Sequence, residues 1–287
     1  MQRTRIASER GMADFSEMDK SEYILGTADE ELNRLRRQHE LWKEELLKLW
    51  RHAGFHRGQN ILELGCGPGF TTSDLARWLG NTGEVTAIDA SERYLNILNS
   101  RPREATDAKI KTVHSYIESL NLPNKQFDGA FCRWLMIFVP KPEDAIRVVH
   151  SHLKPGAQFA IQEYVAWDTT ALCPEKPSTE KVVRAVFQSW RDQGGDPNRG
   201  RILPHLLEKN KFRVTRIEPV LKAIRPTEPL FEWPETFMQI FLPTLVPKKY
   251  LEQKDVDQFL QDMEELKKTP GAFYLGPTLV NIIAERL

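Results

Sequence analysis

Gly65, Gly67 and Gly69, with the carboxylates Glu63 and Asp89, stand at a spacing that can hold a nucleoside. The apolar run Asn60-Ile-Leu-Glu-Leu64 leads into Glu63-Leu-Gly65-Cys-Gly67-Pro-Gly69. Glycines at alternate positions let the backbone turn sharply and let a ligand lie against bare peptide groups, with the N–H groups of a following helix beyond. A dinucleotide fingerprint needs its third glycine one position later, where Phe70 stands, and that ring would obstruct a pyrophosphate. The spacing suits a ligand without phosphate. Val85-Thr-Ala-Ile-Asp89 then ends on an acid beside the glycine turn, where a carboxylate can accept both ribose hydroxyls. Asp89 has a second reading, as the cap of a helix beginning near Ser91.

Glu63 to Gly69 followed by Asp89 resembles the first two motifs of class I S-adenosylmethionine methyltransferases. The resemblance continues in Phe127-Asp-Gly-Ala-Phe-Cys-Arg-Trp134, similar to the fourth strand and its loop, and in Leu153-Lys-Pro-Gly-Ala157, similar to the turn before the fifth. These stretches cover about half of the chain. Upstream, Tyr23-Ile-Leu-Gly26 with Glu31, Arg34, Leu35 and Gln38 is similar to the N-terminal segment of a bacterial small-molecule subgroup, the ubiquinone and menaquinone methyltransferases. In such enzymes this segment folds over the cofactor, so the likeness implies that Tyr23 and Gln38 approach its methionine end. The resemblance implies a set that binds S-adenosylmethionine and its product S-adenosylhomocysteine: Tyr23, Gln38, Glu63, Gly65, Cys66, Gly67, Gly69, Phe70, Asp89, Ala90, Tyr94, Tyr116, Ile117 and Arg133. Two positions depart from the pattern. Tyr116 stands where the family places an acid for the adenine amino group, leaving stacking, backbone groups at Tyr116 and Ile117, or Glu118 in its place. Phe138 stands where many relatives carry a histidine, so no histidine-base mechanism carries over.

Positioning these residues requires alternating strands and helices. Leu32, Leu35, Leu41, Trp42, Leu46, Leu47 and Trp50 recur near helical spacing and predict an amphipathic helix from Thr27 to about Ala53. Strands are expected at Asn60–Leu64, Glu84–Asp89, Ile110–Val113, Gly129–Cys132 and Gln158–Gln162, with helices at Thr72–Leu79, Glu92–Asn99 and Pro142–Leu153 between them. That order predicts a doubly wound, Rossmann-like α/β fold with a mostly parallel seven-stranded sheet. After Tyr164 the pattern loosens. Helices at Thr179–Trp190 and Leu203–Lys209 precede a strand at Phe212–Ile217. Two or three helices are expected in Pro226–Lys268, and a closing strand, Leu279–Ala284, should pair antiparallel at an edge. The chain divides into a disordered tail (1–20), a helical lid (21–58), a cofactor-binding core (59–164) and a remainder (165–287) whose insertions, about 165–200 and 226–270, cap the substrate.

Forty Lys and Arg balance forty Asp and Glu, so no net field gathers nucleic acid or an anionic membrane. The Asn/Asp-Pro-Pro-Tyr/Phe signature of base amino-methylation is also missing, with Arg133-Trp-Leu-Met in its place. The three cysteines (Cys66, Cys132, Cys173) and seven histidines show no metal spacing and no disulfide framework, and no metal is expected. The first twenty residues lack a signal peptide's apolar segment, and no stretch reaches the length of a membrane span. A cytoplasmic setting is the expectation; oligomeric state is not legible.

Methyl transfer from a sulfonium is an in-line displacement, so the enzyme's work is alignment and exclusion of water. If the nucleophile arrives protonated, candidates at the mouth of the sheet are Tyr23, His114 and Glu163, with Arg133 to orient an anion. The acceptor pocket is expected to be an enclosed, largely apolar cavity for a small molecule, walled by Trp134, Phe138, Tyr164, Trp167, Trp233, Phe237 and Phe241. Two other readings stay open: a non-catalytic S-adenosylmethionine-binding protein, and a nicotinamide oxidoreductase, which Phe70 and the lack of a Tyr-x-x-x-Lys pair oppose.

Overall fold

The computed structural model describes residues 29–123 and 125–287. Tyr23, the proposed tail and the first part of the lid lie outside the described residues.

The helix α1 (Asp29–His52) forms without an internal proline or glycine. Its buried Leu46, Leu49 and Trp50 pack against Phe131, Ala160 and Ile283 of the sheet, while Trp42 is buried in the cap cluster. From there the chain alternates: β1 (Asn60–Leu64), α2 (Phe70–Leu79), β2 (Glu84–Asp89), α3 (Glu92–Ser100), β3 (Lys109–His114), β4 (Phe127–Arg133), α4 (Pro142–His152) and β5 (Leu153–Ala166). The short β6 (Ala171–Cys173), α5 (Pro177–Asp192), α6 (Leu203–Lys209), β7 (Phe212–Val220) and β8 (Ala223–Ile224) follow. The chain closes with α7 (Glu232–Leu245), α8 (Gln253–Lys268), β9 (Phe273–Leu275) and β10 (Thr278–Arg286). Each expected strand and helix is found, with ends shifted by a few residues. Helix α2 starts at Phe70 rather than Thr72, because Gly69 in the left-handed region ends the turn and lets the next residue enter the helix.

The strands form a seven-stranded sheet in the order β3-β2-β1-β4-β5-β10-β7. Neighbours from β3 to β5 pair parallel, and β10 runs antiparallel to both β5 and β7. The antiparallel strand thus lies one place in from the edge. Strand β7 has already taken the outer position, and the chain returns from α8 to fill the gap.

Helices α1, α2 and α3 cover one face, while α4 and α6 pack Ala145, Ile146, Val149, Leu203 and Leu207 on Leu62, Ala130, Phe159 and Ile282 of the other. A third apolar cluster joins α5, α7 and α8 to the ends of β5 and β10, and it contains Trp167, Trp190, Phe237 and Tyr274. Within this cap β6, β9 and β8 make a second, antiparallel sheet. No helix among the described residues is long and apolar enough to cross a membrane.

Candidate functional site

The strand order reverses between β1 and β4, whose carboxyl ends open a crevice where α/β sheets bind ligands. Here the structure has a cavity of about 790 Å³, running from the glycine turn to the aromatic cap.

At one end, β1 leaves the sheet through Gly65, Gly67 and Gly69, all at positive φ (64°, 53° and 79°). Gly67 faces open space, where a Cβ would meet nothing within 4 Å. Its N–H donates to Asp89 Oδ2 at 2.7 Å, while Asp89 Oδ1 accepts from Ser91 N at 2.8 Å. Asp89 therefore braces the turn. The cap of α3 is Ser91, whose hydroxyl accepts from Tyr94 N. Each carboxylate oxygen of Asp89 keeps a lone pair for a further donor. Gly69 lies outside the cavity lining, against α3, where a Cβ would stand 2.3 Å from Leu98. It serves helix packing rather than ligand contact.

Phe70, the first residue of α2, lies in the wall beneath the Arg101 guanidinium, 3.9 Å from the ring centroid. Cys66 borders the cavity, and burial pushes its thiol well above the usual range, so it is no nucleophile. Ala90, Tyr94, Tyr116, Ile117 and Glu118 complete this end; Tyr116 is 44% exposed, a ring on which a base can stack.

Glu63 is the buried carboxylate of the floor. Its Oε2 has no hydrogen-bond partner among the described residues, and burial pushes its pKa up to about 8. Such a group is stabilised by an arriving cation. Beside it, Arg133 Nη2 donates to Thr71 Oγ1 at 3.0 Å and to His39 Nδ1 at 3.2 Å. Burial lowers the guanidinium's pKa to about 10, which leaves it charged at neutral pH.

The far end is aromatic. Trp134 has φ 52°, a conformation rare for a bulky side chain, and its N–H is held by Gln162 O at 2.9 Å. The indole lies parallel to Tyr164 (centroids 5.9 Å apart) and to Trp233 (6.5 Å), with Trp42 edge-on to both indoles. Phe138, Trp167 and Phe237 continue the wall and meet at Trp190. Gln38 Oε1 accepts from Arg34 Nη1 (2.8 Å) and from Trp233 Nε1 (3.2 Å), tying α1 to α7. Arg34 is in turn clamped by both oxygens of Glu31 at 2.7 Å.

Of the residues singled out in the sequence, three more stand outside this cavity. His114, on β3, hydrogen-bonds Ala90 O at 2.9 Å and is exposed. Glu163 is fully enclosed behind the wall, its oxygens accepting from Ile137 N (3.1 Å) and Tyr164 N (2.8 Å), and burial pushes it up to about 8. With both oxygens committed to backbone, neither Glu163 nor His114 is placed to take a proton from a molecule in the cavity. Phe241 backs Phe237 in the cap core, ring centroids 5.2 Å apart.

Residues the sequence reading passed over also line the cavity, notably His39, Thr71, Trp190 and Tyr274. His39 carried a usable signal, since it falls on the helical stripe of the half-buried Leu35 and the buried Trp42 and Leu46, where a polar residue needs a partner.

Comparison with known proteins agrees with this geometry. Residues 61–156 match the model of a methyltransferase domain. The chain is 29% identical over 150 residues to a demethylmenaquinone methyltransferase of Listeria welshimeri, covering 52% of this chain and 59% of that protein. It is 31% identical over 154 residues to a 2-phytyl-1,4-naphtoquinone methyltransferase of a Nostoc species, covering 53% and 61%. The chain thus spans about three fifths of the length of these relatives. A solved structure of a putative methyltransferase from Bacillus halodurans superposes with a TM-score of 0.55 at 16% identity, covering 85% of this chain and 99% of that one. Phosphoethanolamine N-methyltransferase 2 of Haemonchus contortus, solved with S-adenosyl-L-methionine, gives 0.52 at 18% identity, covering 85% and 52%. Residues 61–156 are thus similar to a methyltransferase domain, the relatives are methyltransferases, and the fold is one shared with solved methyltransferases.

Proposed function

We propose that the protein transfers a methyl group from S-adenosylmethionine to a planar, largely apolar small molecule of the quinol type. The observation that carries this reading is the continuity of one cavity, with Asp89 and the glycine turn at one end and the stacked Trp134, Tyr164 and Trp233 at the other. Its volume of about 790 Å³ lies within the range for small-molecule sites and leaves room for a second molecule beside a nucleoside.

The residues fit the cofactor. Asp89 has free lone pairs for the ribose hydroxyls, Tyr116 offers a face for the adenine, and the Glu63 carboxylate, whose Oε2 has no partner among the described residues, suits the ammonium of the methionine end. When bound, the cofactor supplies the electrophilic methyl. The protein's own contribution is position and dryness. The aromatic wall orients a flat acceptor and excludes water, which strengthens every charge interaction inside. His114 and Glu163, away from the cavity, take no part in loss of the acceptor's proton, which among the described residues rests on the acceptor's own acidity. Arg133, the cavity's cation without an ion pair among the described residues, favours an acceptor oxygen that reacts as an anion. Relatives named for demethylmenaquinone and 2-phytyl-1,4-naphtoquinone support a quinol-type acceptor.

The test is turnover. Purified protein incubated with S-adenosylmethionine and a reduced 1,4-naphthoquinone should yield S-adenosylhomocysteine and a singly methylated product in equal amounts by mass spectrometry. Tight S-adenosylhomocysteine binding without turnover on a panel of quinols, phenols and amines would favour a non-catalytic binding protein instead.

A further inference from the structure

Asp74 of α2, His39 of α1 and Arg133 of β4 form a chain of contacts that ends in the cavity wall. Asp74 is fixed first: against the opposing effect of burial, hydrogen bonds from His39 and from Lys43 Nζ (3.0 Å) hold its carboxylate ionised, well below the usual range, and Arg77 also pairs with it. His39 Nε2 lies 2.9 Å from Asp74 Oδ2, and His39 Nδ1 lies 3.2 Å from Arg133 Nη2. A guanidinium only donates, so Nδ1 must be the acceptor and the single ring proton must sit on Nε2, directed at Asp74. The Thr71 hydroxyl, 3.4 Å from Nδ1, approaches the same edge, and the Phe70 ring stacks on the imidazole at 6.3 Å. Arg133 Nη1 has no partner among the described residues, so the Nη2 bonds to His39 and Thr71, with the Trp134 ring 4.8 Å away, are what fix the guanidinium.

We propose that His39 is a positioning residue for Arg133: its neutral Nε2–H tautomer, anchored by Asp74, keeps the guanidinium in the cavity wall, and a second proton on the ring releases it. A protonated ring offers no lone pair and sets two cations against each other. The charged groups facing His39 are Asp74 and Lys43, Arg77 through Asp74, and Arg133 itself. Burial, helped by the Arg133 and Lys43 charges and opposed by Asp74, holds the imidazole below its ordinary pKa of 6.5, so it is neutral at physiological pH. The arrangement also explains why α1 carries a histidine on its buried stripe: the same ring that pins the helix to α2 sets the site's cation. That Arg133 faces a bound molecule rests on the proposed function; the tautomer does not.

Two measurements test it. Nitrogen-15 NMR of labelled, ligand-free protein should show His39 as the Nε2–H tautomer, becoming doubly protonated only below pH 6.5. Calorimetry with S-adenosylhomocysteine should show affinity falling on the acid side in the same range. His39→Gln, whose amide can donate to Asp74 and accept from Arg133 without titrating, should keep neutral-pH affinity within about threefold and lose the additional fall that sets in below pH 6.5, keeping only the shallower dependence due to Glu63. His39→Leu should bind about tenfold more weakly at every pH, or about 1.4 kcal/mol. An Nδ1–H tautomer, or acid-side profiles that superpose for wild type and His39→Gln, would overturn the proposal. If wild type bound no S-adenosylhomocysteine at any pH, the proposed cofactor would fall, and the NMR result alone would decide the tautomer.

Discussion

The N–H of Gly67 donates to Asp89 Oδ2 at 2.7 Å, so the turn after the first strand is tied to the end of the second. One carboxylate both shapes the glycine turn and offers its remaining lone pairs to the cavity. Asp89→Asn should keep much of the turn, its amide oxygen still accepting from Gly67, while losing the charged acceptor for a diol. The expected cost is about 1.5–3 kcal/mol, or roughly tenfold or more in S-adenosylhomocysteine affinity, with thermal stability lowered only modestly. Calorimetry and a melting curve on the same sample check both halves. Equal affinity in the two proteins would remove Asp89 from the cofactor site.

Glu63 makes binding pH-dependent in a definite direction. Its folded-state pKa is raised to about 8 by burial, so its neutral form is the one the empty fold favours. Stability is then greatest below the ordinary carboxylate range and declines as pH rises through about 8. An arriving ammonium reverses the preference, so binding should release a fraction of a proton near pH 7. Calorimetry in buffers of different ionisation enthalpy measures that fraction. Glu63→Gln should abolish the release, weaken binding, and raise the melting temperature of the empty protein above pH 8 by a few degrees. Unchanged proton release in the variant would place the titrating group elsewhere.

Trp134 combines a positive φ with a stacked indole, and the strain is held by its N–H bond to Gln162 O and by its neighbours in the wall. Trp134→Leu keeps the backbone requirement but removes the slab. Quinol binding should weaken by about tenfold or more while S-adenosylhomocysteine affinity changes little. Quenching of the remaining tryptophans by a naphthoquinone provides the readout. A matched loss of both ligands would mean that the indole supports the whole cavity rather than its acceptor end.

Gln38 is the joint between α1 and the cap. Replacing it with Leu takes the acceptor from the Trp233 indole N–H and removes the tie to Arg34, and loss of a buried donor's partner costs about 1–3 kcal/mol. Gln38→Leu should therefore lower the melting temperature and speed hydrogen exchange in α7 more than in β1. Exchange that rises uniformly would show that the joint is not local.

The core of this site was legible because its devices are local in sequence: three glycines in five residues, an acid at a strand end, and strands separated by helices. The cap was less so. Its sheet is built from β6, β8 and β9, runs of two or three residues too short to show a period. His114 and Glu163 were plausible bases because both sit at or near strand ends; only packing shows one turned to Ala90 O and the other sealed behind the wall. His39 and Trp190 entered the cavity through tertiary contacts with Arg133 and Phe237, 94 and 47 positions away, which no local pattern reports.

The central claim is that one cavity holds the cofactor at Asp89 and the acceptor at Trp134. A crystal structure with S-adenosylhomocysteine tests it most directly. The account predicts ribose hydroxyls on Asp89, the methionine end toward Glu63, and the sulfur facing the stacked Trp134, Tyr164 and Trp233. A ribose bound away from Asp89, or a sulfur turned from that wall to solvent, would contradict it.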